Sequence, residues 1–157
     1  MHPKLRGGAT DLSRLGALAL QRAGHTPPVG ARVVHDGRKL SAEIEWLIDD
    51  LALLKVFDRN RVTEDGAEAV ALAYLNCSAG WVIKRRMNRG EGADWLLLNK
   101  TGGLALEVSG TTARNAVSRL REKREQVARC TLPNDYPVSL LAVVVAFREP
   151  LILASRP

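Results

Sequence analysis

Asp94 and Glu107 are the residues on which chemistry is most readily built. Asp94 opens the apolar run Trp95–Leu98, Glu107 sits between Leu106 and Val108, and the turn-rich stretch Asn99–Gly103 separates the two runs. Two apolar runs joined in this way read as an antiparallel hairpin, in which the start of one strand faces the end of the other. Both carboxylates then come to one sheet edge, where paired oxygen ligands suit a hard cation such as magnesium or manganese. Without a cation the two would repel, and one would tend to keep its proton. Glu68 lies one and two helical turns before Leu72 and Leu75, on a face expected to look inward, and so offers a third oxygen. The plainer alternative pairs Glu107 with an arginine and leaves Asp94 capping a turn.

Lys84, Arg85, Arg86 and Arg89 stand just ahead of Asp94. Cations there would hold a phosphate backbone without reading bases, or simply solvate a turn. Arg119, Lys123 and Gln126 share one helical face. Ser109 as a nucleophile needs a general base, and His2, His25 and His35 all lie in the N-terminal segment. Trp81 and Trp95 suit either base stacking or the core. Gly7-Gly8 and Gly102-Gly103 lack the Lys-Ser/Thr of a phosphate-binding loop. Cys77 and Cys130, with no histidine nearby, fit neither a zinc spacing nor a disulfide framework and read as reduced thiols.

The elements that must position these groups follow from pattern. Leu12, Leu15, Ala19 and Ala23 mark a short helix in an otherwise loose arm, and Ala31–Val34 reads as a brief strand ended by Asp36-Gly37. Ser41 is the expected cap of an acidic-faced helix running to about Phe57, with Ile44, Leu47, Ile48, Leu51 and Leu54 as its stripe. Thr63-Glu64-Asp65 predicts a helix start and Gly80 its end. Three strands follow, at Trp81–Ile83, Ala93–Leu98 and Leu104–Val108. A basic helix capped by Thr111 or Thr112 is expected to run to about Arg129, with a break at Pro133 and Pro137. The unbroken apolar run Leu140–Phe147 reads as a buried central strand.

Composition sets the class. The chain has 157 residues, 46% hydrophobic and 25% charged, which suits one globular domain of ordinary size. Its apolar runs are too short to cross a membrane, and Arg14 and Arg22 interrupt the signal-like N-terminal stretch, so a cytoplasmic location is expected, with an organelle transit peptide as the alternative that the same two arginines suit. Net charge is +6. It is basic over 1–40, acidic over 41–79, and basic again over 80–93 and 111–130, so positive blocks flank the two acids. A polyanion is the partner this suggests, and a solubilising surface the alternative.

From Thr63 onward the order helix, three strands, helix, strand resembles the PD-(D/E)XK nuclease superfamily. Asp94 in Gly92-Ala-Asp-Trp95 and Glu107 in Leu106-Glu-Val-Ser109 match the acids of its second and third strands, and Glu68 matches its helical glutamate. The stretch from Glu64 to Gly110 is also similar to a group of small uncharacterised bacterial proteins placed in that superfamily. Ser109 stands where the family carries lysine, and Lys123 on the following helix is the candidate replacement. The resemblance implies an α/β restriction-endonuclease-like core over 62–157, with a mixed sheet of about four strands flanked by helices. A basic arm (1–40) and an accessory helix (41–61) precede it. It further implies magnesium or manganese held by Glu68, Asp94, Glu107 and the Val108 carbonyl. Catalysis would fall to Asp94, Glu107, Lys123 and Ser109, and nucleic-acid binding to Lys84, Arg85, Arg86, Arg89 and Arg119. The substrate would be nucleic acid, DNA ahead of RNA, and the assembly a homodimer or a larger complex. The alternative is an inactive nuclease-fold subunit that binds nucleic acid or assembles into a larger bacterial complex.

Overall fold

The elements run α1 (Arg6–Arg22), β1 (Val29–His35), β2 (Arg38–Ile44), a 3-10 turn (Leu51–Lys55), α2 (Arg59–Ala79), β3 (Val82–Arg86), β4 (Trp95–Asn99), β5 (Gly102–Thr111), α3 (Ala116–Val127), β6 (Val138–Ala146) and β7 (Leu151–Ser155). This order comes from a computed structural model that describes residues 6–48, 50–131 and 138–157, with side chains from residue 11. His2 and the break expected at Pro133 and Pro137 lie outside the described residues. No helix among those described is long and apolar enough to cross a membrane.

The architecture is α/β, with a single mixed seven-stranded sheet in the order β2-β1-β7-β6-β5-β4-β3. Strand β5 runs parallel to β6 and β1 parallel to β7, while the other neighbours are antiparallel. The sheet is therefore larger than the about four strands expected from pattern. Three strands account for the difference. The helix expected from Ser41 to Phe57 is strand β2 followed by the 3-10 turn, because Asp36-Gly37 closes a hairpin that pairs Arg38–Ile44 with Val29–His35. Strand β1 then docks on β7, a short run beyond Phe147 that the sequence reading did not assign.

Side chains alternate between the two faces of the sheet, as strand geometry requires. Leu104, Leu106, Val108, Leu141, Val143 and Val145 pack beneath α1 and α2. Val144, Ala146 and Leu153 point to the other face and pack with Ala116 and Leu120 of α3. Helix α2 begins a turn before Thr63, because the Asp58 carboxylate accepts from the amides of Asn60 and Arg61 at 2.8 and 3.1 Å. It ends at Gly80, which takes the left-handed conformation at φ 66°.

One contact fixes α2 on the sheet. A Cβ at Gly110 would lie 2.2 Å from the Thr63 carbonyl oxygen and 2.8 Å from its carbon. Both are backbone atoms, so neither yields as the tip of a side chain would. Gly110→Ala is expected to cost about 2 kcal/mol by overpacking. For a chain of this size that lowers the melting temperature by about 4–8 °C, read by thermal unfolding.

Candidate active site

Strands β4 and β5 pair only as far as Trp95 and Leu106, whereas β5 continues beside β6 to Thr111. From Glu107 to Thr111 one edge of β5 is therefore open, and side chains fill it. The Asp94 amide donates to the Leu106 carbonyl at 2.9 Å, and the Val108 amide donates to Asp94 Oδ2 at 2.8 Å. The Gly110 amide donates to Glu64 Oε2 at 2.8 Å, and Arg119 Nη1 donates to the Gly110 carbonyl at 2.8 Å. In an extended strand the amide and carbonyl of one residue point the same way, so the Val108 carbonyl faces this notch too.

Glu107 points to the α3 side of the sheet, opposite in parity to Leu106 and Val108. It is 2% exposed. Lys123 Nζ donates to its Oε1 at 2.5 Å and to Gln126 Oε1 at 3.0 Å. Glu68, also buried, receives Arg86 at 2.8 Å, and that guanidinium lies over the Trp95 ring. Asp94 lies beside Glu107 and raises its affinity for a proton.

Burial pushes the Glu107 carboxyl up to about 7, with Lys123 opposing the shift and Asp94 adding to it. Glu68 is likewise pushed up to about 7 by burial, with Arg86 opposing and Asp94 and Asp65 adding. Burial also raises Asp94, against the Val108 amide and the Lys123 and Arg86 charges. Each glutamate therefore has one oxygen committed to a cation. The other oxygen, Oε2 in both, is buried and accepts from no donor. Such oxygens are costly in a folded chain and are suited to a ligand that desolvates well against carboxylate.

Among the described residues no three His, Cys, Asp or Glu side chains converge closely enough to hold one ion. The three-acid set expected from sequence is thus not gathered into one group, since Glu68 turns to Arg86 and Glu107 to Lys123. What fits a hard cation is the Asp94–Glu107 pair, the unsatisfied Glu107 Oε2 and the Val108 carbonyl, an all-oxygen donor set.

A second cluster adjoins the first. Ser109 is 1% exposed and donates to Glu64 Oε2 at 3.2 Å, while Arg119 Nη1 donates to Ser109 Oγ at 2.6 Å and to Glu64 Oε1 at 3.0 Å. No histidine serves Ser109 as a base among the described residues. His25 bonds the Phe147 carbonyl at 2.7 Å, and His35 bonds the Tyr74 hydroxyl at 2.8 Å. Sequence reasoning treated Glu64 as a helix-start acid only. The signal that would have found it is its position one turn before Glu68 on α2.

Of the four cations ahead of Asp94, two are engaged. Arg85 makes a two-point ion pair with Glu91 at 2.7 Å for each bond, which holds the Glu91 carboxyl down at about 2 with the help of the Asn88 amide. Arg86 is held by Glu68 as described. Lys84 and Arg89 are exposed and make no ion pair among the described residues. Arg119 is spent on Glu64, Ser109 and Gly110. Cys77 and Cys130 are both free. Set beside known protein families, curated sequences and solved structures, the chain matches none of them.

Proposed function

We propose that the chain is a metal-dependent nuclease of the restriction-endonuclease-like kind, hydrolysing phosphodiester bonds at the notch on β5. One observation carries this reading. Lys123, from the helix after the strand, puts its ammonium against Glu107 although position 109 holds serine. A positive charge thus stands at the acid pair, and it comes from a position that simple tripeptide reading overlooks. The succession α2, β3, β4, β5, α3 and β6 supports a core of that type, with α1, β1, β2 and β7 as additions to it.

Asp94, Glu107 and the Val108 carbonyl would hold magnesium or manganese, and Glu68 stands near enough to Asp94 to raise its own proton affinity. The ion, when bound, supplies Lewis acidity towards phosphate oxygen and water. Lys123, whose ammonium stands at Glu107, would stabilise negative charge developing on the phosphate. Glu68, which burial pushes up to about 7, can accept a proton from attacking water. Arg119 fixes Glu64 and the end of β5, so the notch keeps its shape as substrate enters.

The direct test is cleavage of plasmid and single-stranded DNA by purified protein with magnesium or manganese, and with Glu107→Ala as the control. A parallel test reads binding. Either ion at millimolar concentration is expected to raise the melting temperature, since it binds only the folded site. Asp94→Asn should remove the shift, and a wild-type melt indifferent to both ions would discard the metal site.

A second reading is favoured by the ion pairs themselves. Lys123 and Arg86 already pair with one oxygen each of Glu107 and Glu68, as an inactive nuclease-fold subunit that holds no metal would require. Nucleic-acid binding with no cleavage under either ion would select that reading.

A further inference from the structure

The cations around the notch are tied to acids, Arg85 to Glu91, Arg86 to Glu68, Arg119 to Glu64 and Lys123 to Glu107, but one concave surface gathers cations that are not. Arg22, Lys55, Arg59 and Arg148 line a cavity of about 750 Å³ together with Ala23, Leu51, Leu54 and Thr112, and among the described residues no acid lines it. The four cations come from separate places in the chain: the end of α1, the 3-10 turn, the start of α2 and the turn between β6 and β7. Nearby acids are turned elsewhere. Asp58 caps the amides at the start of α2, and Glu149 pairs with Arg32 at 3.4 Å. Lys55, Arg59 and Arg148 make no ion pair among the described residues.

Arg22 is held without losing its charge, because both its bonds go to neutral oxygens, the Arg59 carbonyl at 3.2 Å and Thr63 Oγ1 at 2.7 Å. Four cations converging without a counter-ion repel one another, and a multiply charged anion relieves that repulsion. The cavity lies at the end of β5, the strand that carries the notch. Thr112 follows the last residue of β5, and Thr63 packs its backbone on Gly110, whose amide and carbonyl are held by Glu64 and Arg119.

We infer that this cavity binds backbone phosphates of the nucleic-acid strand that enters the β5 notch, and is the main anion contact of the protein. The inference rests on the nuclease reading for the identity of the strand. It moves the phosphate contact from the Lys84–Arg89 turn, where Arg85 and Arg86 are tied to glutamates, to cations that are unpaired by acids. Contact is with phosphate oxygens, so base sequence has little influence on it.

Lys55 and Arg148 are exposed and carry no hydrogen bond that supports the fold, so Lys55→Gln/Arg148→Gln should remain folded. Binding of a labelled DNA duplex and a labelled single strand is measured by anisotropy in EDTA, as a function of salt. The double variant should bind at least about tenfold more weakly near 100 mM salt, with a log–log salt slope smaller by about two. The control Arg38→Gln/Lys39→Gln removes the same charge from exposed residues of β2, at the other end of β7, and should leave both nearly unchanged. Equal losses in the two variants, or a loss in neither, would overturn the inference. So would inorganic phosphate or pyrophosphate that binds the wild type through Lys55 and Arg148 while the DNA slope stays the same, since the cavity would then serve a small anion. Cleavage with metal is assayed separately. Absent cleavage with cavity-dependent binding removes the nuclease reading alone, and cleavage undiminished in the double variant removes the cavity alone.

Discussion

Lys123→Ala is expected to lower metal-dependent cleavage by about two to three decades, the effect of removing one preorganised charge from a developing anion. The substitution acts twice. It removes the ammonium that would face the phosphate, and it leaves Glu107 buried with no cation, which drives the carboxyl further towards its neutral form. DNA affinity in EDTA should hardly change, because Lys123 is half-buried and already occupied by Glu107 and Gln126. Lys123→Arg should recover only part of the rate, since a planar guanidinium does not replace a compact point charge. Ser109→Lys would restore the tripeptide of the resembled family, yet it is expected to lower activity. Position 109 is buried, and its hydroxyl lies between Glu64 and Arg119, so a lysine there would expel Arg119 from the end of β5. Single-turnover cleavage with saturating metal measures all three. A Lys123→Ala protein that cuts as fast as wild type would remove the lysine from the reaction.

The second large effect is on stability, and it runs against function. Glu68 and Glu107 both bind a proton more tightly in the folded chain, near pH 7, than at the ordinary value of 4.5. Between those two pH values the native state holds more protons than the unfolded state, so stability falls as pH rises through the window and is lowest above it. Glu68→Gln/Glu107→Gln keeps shape and removes both charges. At pH 8 in EDTA it is expected to be more stable than wild type by a few kcal/mol, because both carboxylates are relieved of burial as anions. At pH 4, where the wild-type glutamates are mostly neutral in both states, most of the advantage should vanish. Lys123 and Arg86 retain access to water, so neither is stranded by the change. Thermal melts from pH 4 to pH 8 test this, and a variant no more stable than wild type at pH 8 would mean that the two ion pairs fully offset the burial.

That trade has a clear physical source. Burying carboxylates costs stability unless every oxygen finds a donor, and here Oε2 of both glutamates finds none. A chain selected for stability alone would place glutamine or an apolar residue at these positions. Retaining two ionisable groups near neutrality, one beside Lys123 and one beside Arg86, is an arrangement more often found at functional sites than in a merely structural core.

Much of this site is legible in the sequence because it is built from local relations. The hairpin turn at Asn99–Gly102 is short, so it alone sets Trp95 against Leu106 and hence Asp94 beside Glu107. The spacing of Arg119 and Lys123 puts both on one face of α3, and the parity of β5 decides that Glu107, not Leu106, points towards that face. Alternation of apolar residues likewise marks β4, β5 and β6, and Gly80 marks the end of α2.

Other features depend on contacts between distant segments, and only the tertiary structure decides them. The Ile44–Leu54 stripe has helical spacing, but the hairpin at Asp36-Gly37 and the docking of β1 on β7 draw Arg38–Ile44 into the sheet instead. Leu47 and Ile48, the stripe's next members, are left exposed between β2 and the 3-10 turn. The fate of each charge is non-local in the same way. Sequence places Arg85, Arg86 and Arg119 close to the acids, but which cation spends itself on which carboxylate depends on where α2, β3 and α3 meet at the open edge of β5. Ion pairing is a short-range interaction between side chains brought together by packing, and position along the chain does not specify it. The four cations of the cavity at the end of β5, drawn from residues 22 to 148, illustrate the same point: each is unremarkable in sequence, and only folding gathers them.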